Sequence, residues 1–529
     1  PAQVVDVRAV AEQSYDRAFA RADADAAGHR AQPRRNGPGR RGKRVGARCA
    51  SLRGACGLSR LHDRSVHRGA RGASFAYELL YDGQGKDGRP FVPGLIDLEQ
   101  LRKETEQSTA KFTLRDVTQT YIKAQVINSK TVNVPEALII REYVDGALEP
   151  LDPFSTMIWP VEKQDFDTTM SGKFYGVGIQ ISLENNSLTV VSPLEDTPAY
   201  HAGIQAGDVI VAIDGEPTQG ISIDGAVRRI KGDENTAVVL TVRRGGGRLR
   251  DFKLIRKEIV IKTVKGFARQ ADGQWDYLAD KDYRIGYVRI TNFMPQTVNE
   301  LEAAMDAMAA KGVRALILDF RFNPGGLLNQ AIAMSDLFID EGVIVSTEGR
   351  ATRKHEEVAK AGATERDLPL VALVNDYSAS AAEIVTGALK DHHRAIIVGE
   401  RTFGKGSVQT VHGLGREALL GGDAKAALKL TTALYYLPSG RSLHRNDDSE
   451  TWGVEPDVSV KVTRDEVTDI IDLRRDSDIL HGPNEEAVPA TQPDSTAKAP
   501  ATQPERIKLD AQLDTAVMVL RAELLKKKI

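Results

Sequence analysis

The chain has 529 residues and a formal net charge of −2, with 41% hydrophobic and 27% charged residues. This composition is typical of a globular protein, and the length predicts more than one domain. The sequence has no apolar run of about 18 residues, which argues against a membrane-spanning helix. The two cysteines, Cys49 and Cys56, exclude a disulfide-rich scaffold and a four-cysteine zinc site.

A strongly basic segment interrupts the N-terminal part of the chain. Residues 1–29 predict an Ala-rich helix, whereas residues 30–72 hold twelve Arg, one Lys and one acidic residue, a net charge of +12. The segment lacks apolar periodicity and is predicted to be disordered. Basic arms of this kind can bind nucleic acid, but no aromatic side chain lies among these arginines to stack on bases. The favoured interpretations are therefore a solvated linker or a stretch that does not belong to the fold, and we predict no nucleic-acid partner.

The next two regions differ in their periodicity. Residues 73–170 predict a mainly helical region, with helices over 112–128 and 135–148. Residues 174–258 contain short β-rich runs separated by Gly and Pro turns, together with two short helical stretches. This pattern predicts a small, partly open β-barrel.

The C-terminal half predicts an α/β domain. Within residues 259–482, near-continuously apolar strands alternate with helices, which indicates a largely parallel sheet buried on both faces. A Pro/Ala/Thr-rich stretch at 483–505 predicts a flexible linker. Residues 506–529 predict a closing helix.

Three loops that follow predicted strands of this sheet hold residues suited to catalysis, because ligands bind such sheets at the carboxyl ends of strands. Adjacent glycines at 325–326 can turn backbone N–H groups towards an anion, or can form a plain helix-start turn. Ser380 lies at a strand-to-helix junction and predicts either a nucleophile or a helix N-cap. Lys405 lies between two glycines and predicts either a functional amine or a solvated surface lysine.

A phosphate-binding loop is a competing interpretation of the third loop. Residues 399–405 match the first seven positions of that motif. The next position should be Ser or Thr to hold magnesium, but it is Gly406. We therefore predict neither a nucleotide nor any other cofactor, and no metal.

Several longer sequence motifs identify a resemblance to a known family. Between about 151 and 460 the chain resembles the carboxyl-terminal processing, or tail-specific, proteases. The similar motifs are YGVGI at 175–179, LILDFRFNPGG at 316–326, ASAAEI at 379–384, GERTFGKGSVQ at 399–409 and GVEPDV at 453–458. The resemblance implies a multi-domain α/β protein with a helical N-terminal region, a PDZ domain over 174–258 and a crotonase-like α/β protease core.

The resemblance also implies a Ser–Lys dyad. Ser380 matches the nucleophile, and Lys405, 25 positions later, matches the general base. Gln409, one helical turn beyond the lysine, matches the residue that orients it. A lysine can accept the serine proton only if burial lowers its pKa enough to leave it neutral. The N–H groups around Gly325 or Gly326 and that of Ala381 match the oxyanion hole.

The PDZ resemblance implies a peptide-binding groove. Its carboxylate-binding loop would be formed by Gly176, Val177, Gly178 and Ile179. A captured chain terminus would add to the following strand as an extra β-strand. Ile223 and Val227, at i and i+4 on a predicted helix, would line the side-chain pocket, or would belong to the core.

Taken together, these residues predict a serine endopeptidase that recognises proteins with apolar, free C-termini. The resemblance implies action in the cell envelope or periplasm and allows a homo-oligomer, although the residues from Pro1 onward lack the pattern of a signal peptide. Two alternatives are a catalytically silent PDZ scaffold and an acyl-CoA-processing enzyme of similar core fold. The intact Ser380, Lys405 and Gln409 argue against the first, and the inserted PDZ domain against the second.

Overall fold

The computed structural model describes residues 114–480, apart from short gaps, and 507–526. The gaps are at 132, 185, 246, 248, 271–272, 351, 361, 363–367, 416–424 and 447. Before residue 114 it describes only the paired strands β1 (Val66–His67) and β2 (Ala76–Tyr77). The predicted helix in 1–29, the linker 483–505 and, apart from β1, the basic segment 30–72 lie outside the described residues.

The chain forms two compact units, Pro1–Met157 with Gly413–Leu428, and Ile158–His412 with Lys429–Ile529. In the first unit, α1 (Leu114–Lys130) and α2 (Glu136–Leu148) lie side by side, each within two residues of its predicted start. The hydroxyl of Tyr143 on α2 donates a hydrogen bond to the carbonyl of Val117 on α1 (2.7 Å). The strand β3 (Thr156–Ile158) and helix α3 (Pro160–Ser171) follow.

The region predicted to be a PDZ domain contains a six-stranded antiparallel sheet, a separate antiparallel pair formed by its first and last strands, and two helices. Its elements are β4 (Lys173–Gly176), β5 (Ile179–Glu184), β6 (Ser187–Pro193), α4 (Pro198–His201), β7 (Val209–Ile213), β8 (Glu216–Pro217), α5 (Ile223–Ile230), β9 (Ala237–Arg243), β10 (Leu249–Ile255) and β11 (Lys257–Val260). The main strand order is β10–β9–β7–β6–β5, so β5 is an edge strand. Alternating residues of these strands, such as Val238, Leu240 and Val242, form a separate buried core.

The α/β domain follows. Its first elements are β12 (Val264–Lys265), β13 (Ala268–Arg269), β14 (Trp275–Asp276), β15 (Leu278–Asp280), β16 (Ile285–Ile290), α6 (Thr297–Ala310), β17 (Ala315–Asp319), α7 (Leu328–Asp336), β18 (Val343–Glu348) and β19 (His355–Val358). The remaining elements are β20 (Leu370–Val374), α8 (Ala381–Asp391), β21 (Ala395–Gly399), β22 (Ser407–Leu414), β23 (Ala426–Tyr436), β24 (Val458–Ser459), α9 (Arg464–Asp478) and α10 (Ala511–Lys526).

The central sheet of this domain has the order β12–β16–β17–β20–β21–β24. Its strands β16, β17, β20, β21 and β24 run parallel to one another. It is buried on both faces, as the apolar strands predicted. Successive residues of β17 illustrate this: Leu316 and Leu318 join a core that includes side chains of α6, α7 and α8, whereas Ile317 joins one that includes side chains of α10. A smaller sheet has the order β19–β18–β23–β22.

Helix α9 was not predicted from the sequence. It begins with a capping box, in which the Thr463 hydroxyl accepts a hydrogen bond from the Glu466 N–H and the Glu466 carboxylate accepts one from the Thr463 N–H. No helix in the described part of the chain has the length and apolar character needed to cross a bilayer.

Candidate active site

Three loops leave the same edge of the central sheet, where the neighbouring parallel strands β17, β20 and β21 end. They span 320–326, 375–380 and 400–406. The Ala379 N–H donates to the Asn323 carbonyl (2.9 Å), and the Phe403 N–H donates to the Ser378 carbonyl (3.0 Å). The structure therefore brings the three predicted loops together.

Ser380 lies at the turn between β20 and α8, just before the first residue of the helix. Its backbone has φ 55° and ψ −114°, a conformation that non-glycine residues rarely adopt and that a packed surrounding must enforce. Such a sharp strand-to-helix turn can present a serine hydroxyl at the helix N-terminus. Ser378 differs, because its hydroxyl donates to the Phe320 carbonyl (2.9 Å), which fits a structural role.

The glycine turn lies directly against the loop that carries Ser380. A Cβ on Gly325 would lie 2.8 Å from both the Ala379 carbonyl oxygen and the Ser380 Cβ, and 3.0 Å from the Ala381 nitrogen. Only glycine fits here, since its φ of 102° is also unfavourable for other residues. The Gly325 N–H already donates to Asn323 Oδ1 (2.8 Å). This bond favours Gly326 over Gly325 as the oxyanion donor.

The loop that carries Lys405 packs closely on the rest of the domain through the two glycines beside the lysine. A Cβ on Gly404 would meet Trp452 at 2.7 Å, and one on Gly406 would meet the His444 nitrogen at 2.4 Å. Burial lowers the pKa of Lys405, the positive charge of Lys429 lowers it further, and the carboxylate of Glu383 opposes both effects. The lysine is therefore shifted towards the neutral form that a general base requires.

One buried carboxylate joins the serine loop to the lysine loop. Glu383 on α8 is fully buried, and its Oε2 accepts hydrogen bonds from the N–H groups of Ser380 and Lys405 (both 2.8 Å). Its Oε1 accepts from the Gly404 N–H (2.7 Å) and the Thr402 hydroxyl (2.5 Å). Burial raises the pKa of Glu383, against the lowering effect of these four bonds.

Gln409 is placed differently from the prediction. It lies on the strand β22, so the expectation that it follows the lysine by one helical turn is wrong. The β-branched residues on either side, Val408 and Thr410, favour a strand here. The Gln409 amide nitrogen donates a hydrogen bond to the hydroxyl of Ser407 (2.8 Å). The amide oxygen is the acceptor of this side chain.

Tyr435 is a site residue that the sequence analysis missed. Its side chain is buried, and the nearby Ser380 side chain partly offsets the effect of that burial on the pKa of Tyr435. Burial raises the pKa of Tyr435 to about 12, so its hydroxyl keeps its proton at neutral pH. Its N–H donates to the carbonyl of Gly406 (2.7 Å), which fixes β23 beside the lysine loop.

Asp319 and Arg321, which precede the glycine turn, are buried and belong to a largely buried ionic network. Asp319 accepts hydrogen bonds from Arg321, from Arg474 on α9 and from the Tyr287 hydroxyl (2.7 Å). Arg321 also binds Asp510 through two hydrogen bonds of 2.8 Å. Burial alone would raise the pKa of Asp319, but the two guanidinium groups hold it below its usual range. The network thus keeps a charged pair at the start of the turn.

The predicted PDZ groove lies at the β5 edge. The groove loop comprises Gly176, Val177, Gly178 and Ile179. Gly178 has φ 76° and packs so closely on Thr197 that a Cβ would lie 2.3 Å from the Thr197 Cβ. On α5 the fully buried residues are Ala226 and Ile230, whereas Ile223 and Val227 are only partly buried. That pattern favours a pocket role for Ile223 and Val227 over core packing.

Comparison with known proteins agrees with this division of the chain. The profile of peptidase family S41 matches residues 284–460, and that of the PDZ domain matches residues 189–244. The chain is 37% identical over 408 residues to a carboxy-terminal-processing protease of Bartonella bacilliformis, a match that covers 75% of this chain and 86% of that protein.

Two further proteins extend the comparison. The carboxy-terminal processing protease CtpA of Bacillus subtilis is 36% identical over 327 residues, which cover 60% of this chain and 64% of that protein. Among solved structures, the photosystem II D1 C-terminal processing protease is 27% identical, with a TM-score of 0.36, and the match covers 69% of this chain and 92% of that one.

Proposed function

This chain belongs to the carboxy-terminal processing proteases of peptidase family S41, as its sequence motifs predicted, and we propose that it is an endopeptidase with Ser380 as nucleophile and Lys405 as general base. The observation that carries the assignment is the shared carboxylate of Glu383, which accepts hydrogen bonds from the N–H groups of both residues. The strained backbone of Ser380 and the lowered pKa of Lys405 support the two roles.

The chemistry follows from these positions. Neutral Lys405 accepts the proton of the Ser380 hydroxyl as the oxygen attacks the scissile carbonyl carbon. The carbonyl oxygen becomes an oxyanion, which the N–H groups of Gly326 and Ala381 stabilise together with the N-terminal dipole of α8. The ammonium of Lys405 then gives its proton to the leaving amine, the C–N bond breaks, and an acyl-enzyme forms. Water hydrolyses that ester with the lysine again acting as base.

The PDZ domain supplies substrate recognition in this proposal. A protein C-terminus adds to the free edge of β5, and its carboxylate binds the N–H groups of residues 176–179. Partly buried Ile223 and Val227 favour an apolar terminal side chain. A crotonase-like description of the core, a homo-oligomer and a location in the cell envelope or periplasm stay predictions from the resemblance.

The test uses the full chain and an unstructured protein with an apolar, free C-terminus. Wild-type protein is expected to cut it, and Ser380→Ala and Lys405→Arg are expected to abolish cleavage, because arginine stays protonated. Ser378→Ala is the matched control and should have a milder effect. A fluorophosphonate should label Ser380, located by mass spectrometry. Binding of the substrate without cleavage or labelling would instead identify a silent PDZ scaffold.

A further inference from the structure

Helix α9 reaches the strand end from which the glycine turn begins. Arg474 on α9 donates through Nη2 to Asp319 Oδ2 (2.6 Å) and through Nη1 to the backbone carbonyl of Arg321 (3.1 Å). Its guanidinium also lies over the ring of Phe322, 4.9 Å from the centroid. One side chain therefore contacts three positions within four consecutive residues.

Those contacts fall on a stretch of backbone that needs support. Phe322 has φ 62°, and Gly325 and Gly326 follow with φ 102° and 143°. A non-glycine residue in this conformation persists only where surrounding contacts hold it. The Arg321 carbonyl belongs to the peptide unit immediately before Phe322, so the bond from Arg474 restrains the rotation that would release this strain. The position of the Gly326 N–H depends on the same stretch.

The helix that carries Arg474 is also fastened to the PDZ domain. Just beyond its C-terminal end, the Leu480 N–H donates to the Ser192 hydroxyl on β6 (3.0 Å). A cavity of about 320 Å³ lies beside this contact and is lined by residues of both parts, including Val191, Phe322 and Arg474. Helix α9 is therefore in contact with the substrate-recognition domain at one point and with the glycine turn at another.

We propose that Arg474 is a positioning residue that holds the oxyanion turn in its productive geometry, and that α9 ties this geometry to the PDZ domain. The inference rests on the proposed function, since it assumes that the Gly326 N–H is an oxyanion donor. Arg474 acts through the 320–326 backbone and does not itself touch the reacting atoms.

Removing this arginine should leave the fold intact. Asp319 keeps hydrogen bonds from the Arg321 side chain and from the Tyr287 hydroxyl, so the carboxylate is not left without a partner. Methionine can retain the apolar contact with Phe322. The variant loses one of several bonds to Asp319 and the bond to the Arg321 carbonyl, and the second is the contact under test.

The experiment compares Arg474→Met and Arg474→Lys with Arg475→Met in the full chain. Arg475 is the matched control, because its side chain is 58% exposed and pairs with Asp472 on its own helix. For each variant kcat and KM are measured on the unstructured protein substrate, together with the dissociation constant of a peptide aldehyde. The aldehyde forms a tetrahedral adduct with the serine and depends on the oxyanion hole, whereas KM does not. Hydrogen exchange across 320–327 reports the order of the turn without any need for activity.

For Arg474→Met we expect kcat to fall roughly 10- to 100-fold, as for a small misplacement of catalytic groups, with KM unchanged. Aldehyde affinity should fall in parallel, and exchange across the turn should quicken. Arg474→Lys should be intermediate, and Arg475→Met should match wild type. Wild-type kcat and exchange in a folded Arg474→Met protein would overturn the inference, and so would equal losses in Arg475→Met. If Arg474→Met does not fold, kcat and hydrogen exchange of Arg474→Lys decide whether the inference stands. An inactive wild-type chain would overturn the proposed function instead, while exchange would still test the positioning role.

Discussion

Replacing Glu383 with glutamine changes few atoms but disturbs both catalytic loops. The carboxylate accepts four hydrogen bonds, three of them from the backbone N–H groups of Ser380, Gly404 and Lys405. An amide has only one acceptor oxygen, so its NH2 group must face donors wherever it is placed. The less costly orientation turns the NH2 towards Thr402, whose hydroxyl can rotate to accept, and leaves the Gly404 N–H without an acceptor.

The expected loss of stability in Glu383→Gln follows from this arrangement of hydrogen bonds. A buried N–H that loses its partner costs roughly 1–3 kcal/mol, and the remaining bonds weaken because they no longer involve a charge. Relief from burying the carboxylate offsets part of that loss. We expect Glu383→Gln to lower the free energy of unfolding by about 2–4 kcal/mol. It also removes the negative charge that raises the pKa of Lys405, so the lysine should lose its proton at lower pH.

Urea unfolding and the pH dependence of kcat/KM measure the two effects. Glu300→Gln is the matched control. Glu300 on α6 is partly buried, and its Oε2 also accepts hydrogen bonds from two backbone N–H groups, those of Thr263 (2.8 Å) and Val264 (3.1 Å). Both variants should lose stability, but only Glu383→Gln should lower the maximal rate and move the rising limb of the profile to lower pH. An unchanged limb in Glu383→Gln, or an equal shift in both variants, would refute the reasoning.

Other outcomes follow from the same site. The rate should rise with pH through the lowered pKa of Lys405. Lys429→Met should move this rise to higher pH, because it removes a positive charge that lowers the pKa of Lys405. A shift of the rise to lower pH would contradict this electrostatic role. Tyr435→Phe keeps the buried ring but removes the hydroxyl that can hydrogen-bond to the proposed nucleophile. Such a bond is worth about 1 kcal/mol, so kcat should fall about fivefold, and Tyr436→Phe is the control. A substrate with a free apolar C-terminus should be cut faster than its amidated form, and Val227→Glu should erase the difference; equal cleavage of both by wild type would remove the terminus-sensing role.

The central sheet could be predicted from the sequence because strands buried on both faces consist almost entirely of apolar residues. The strands before the three loops are almost wholly apolar, as in LILDF at 316–320 and LVALV at 370–374. Such strands are typical of parallel sheets, whose carboxyl ends form one edge. The glycines at 325–326 and around Lys405 could likewise be singled out. The structure gives them a physical reason, since a Cβ at any of these positions would meet a neighbouring atom at less than 3.0 Å.

The residues that support the site left weaker signals because they act across the fold. Glu383 follows Ser380 by three positions, the spacing of a capping box, and the same spacing from Thr463 to Glu466 marks the start of the unpredicted helix α9. This local rule predicts the contact with the Ser380 N–H, but not those with the lysine loop about 20 residues later. Tyr435 reaches the serine only through the strand order of the smaller sheet. Periodicity reports which face of an element is buried, whereas these contacts depend on which elements become neighbours.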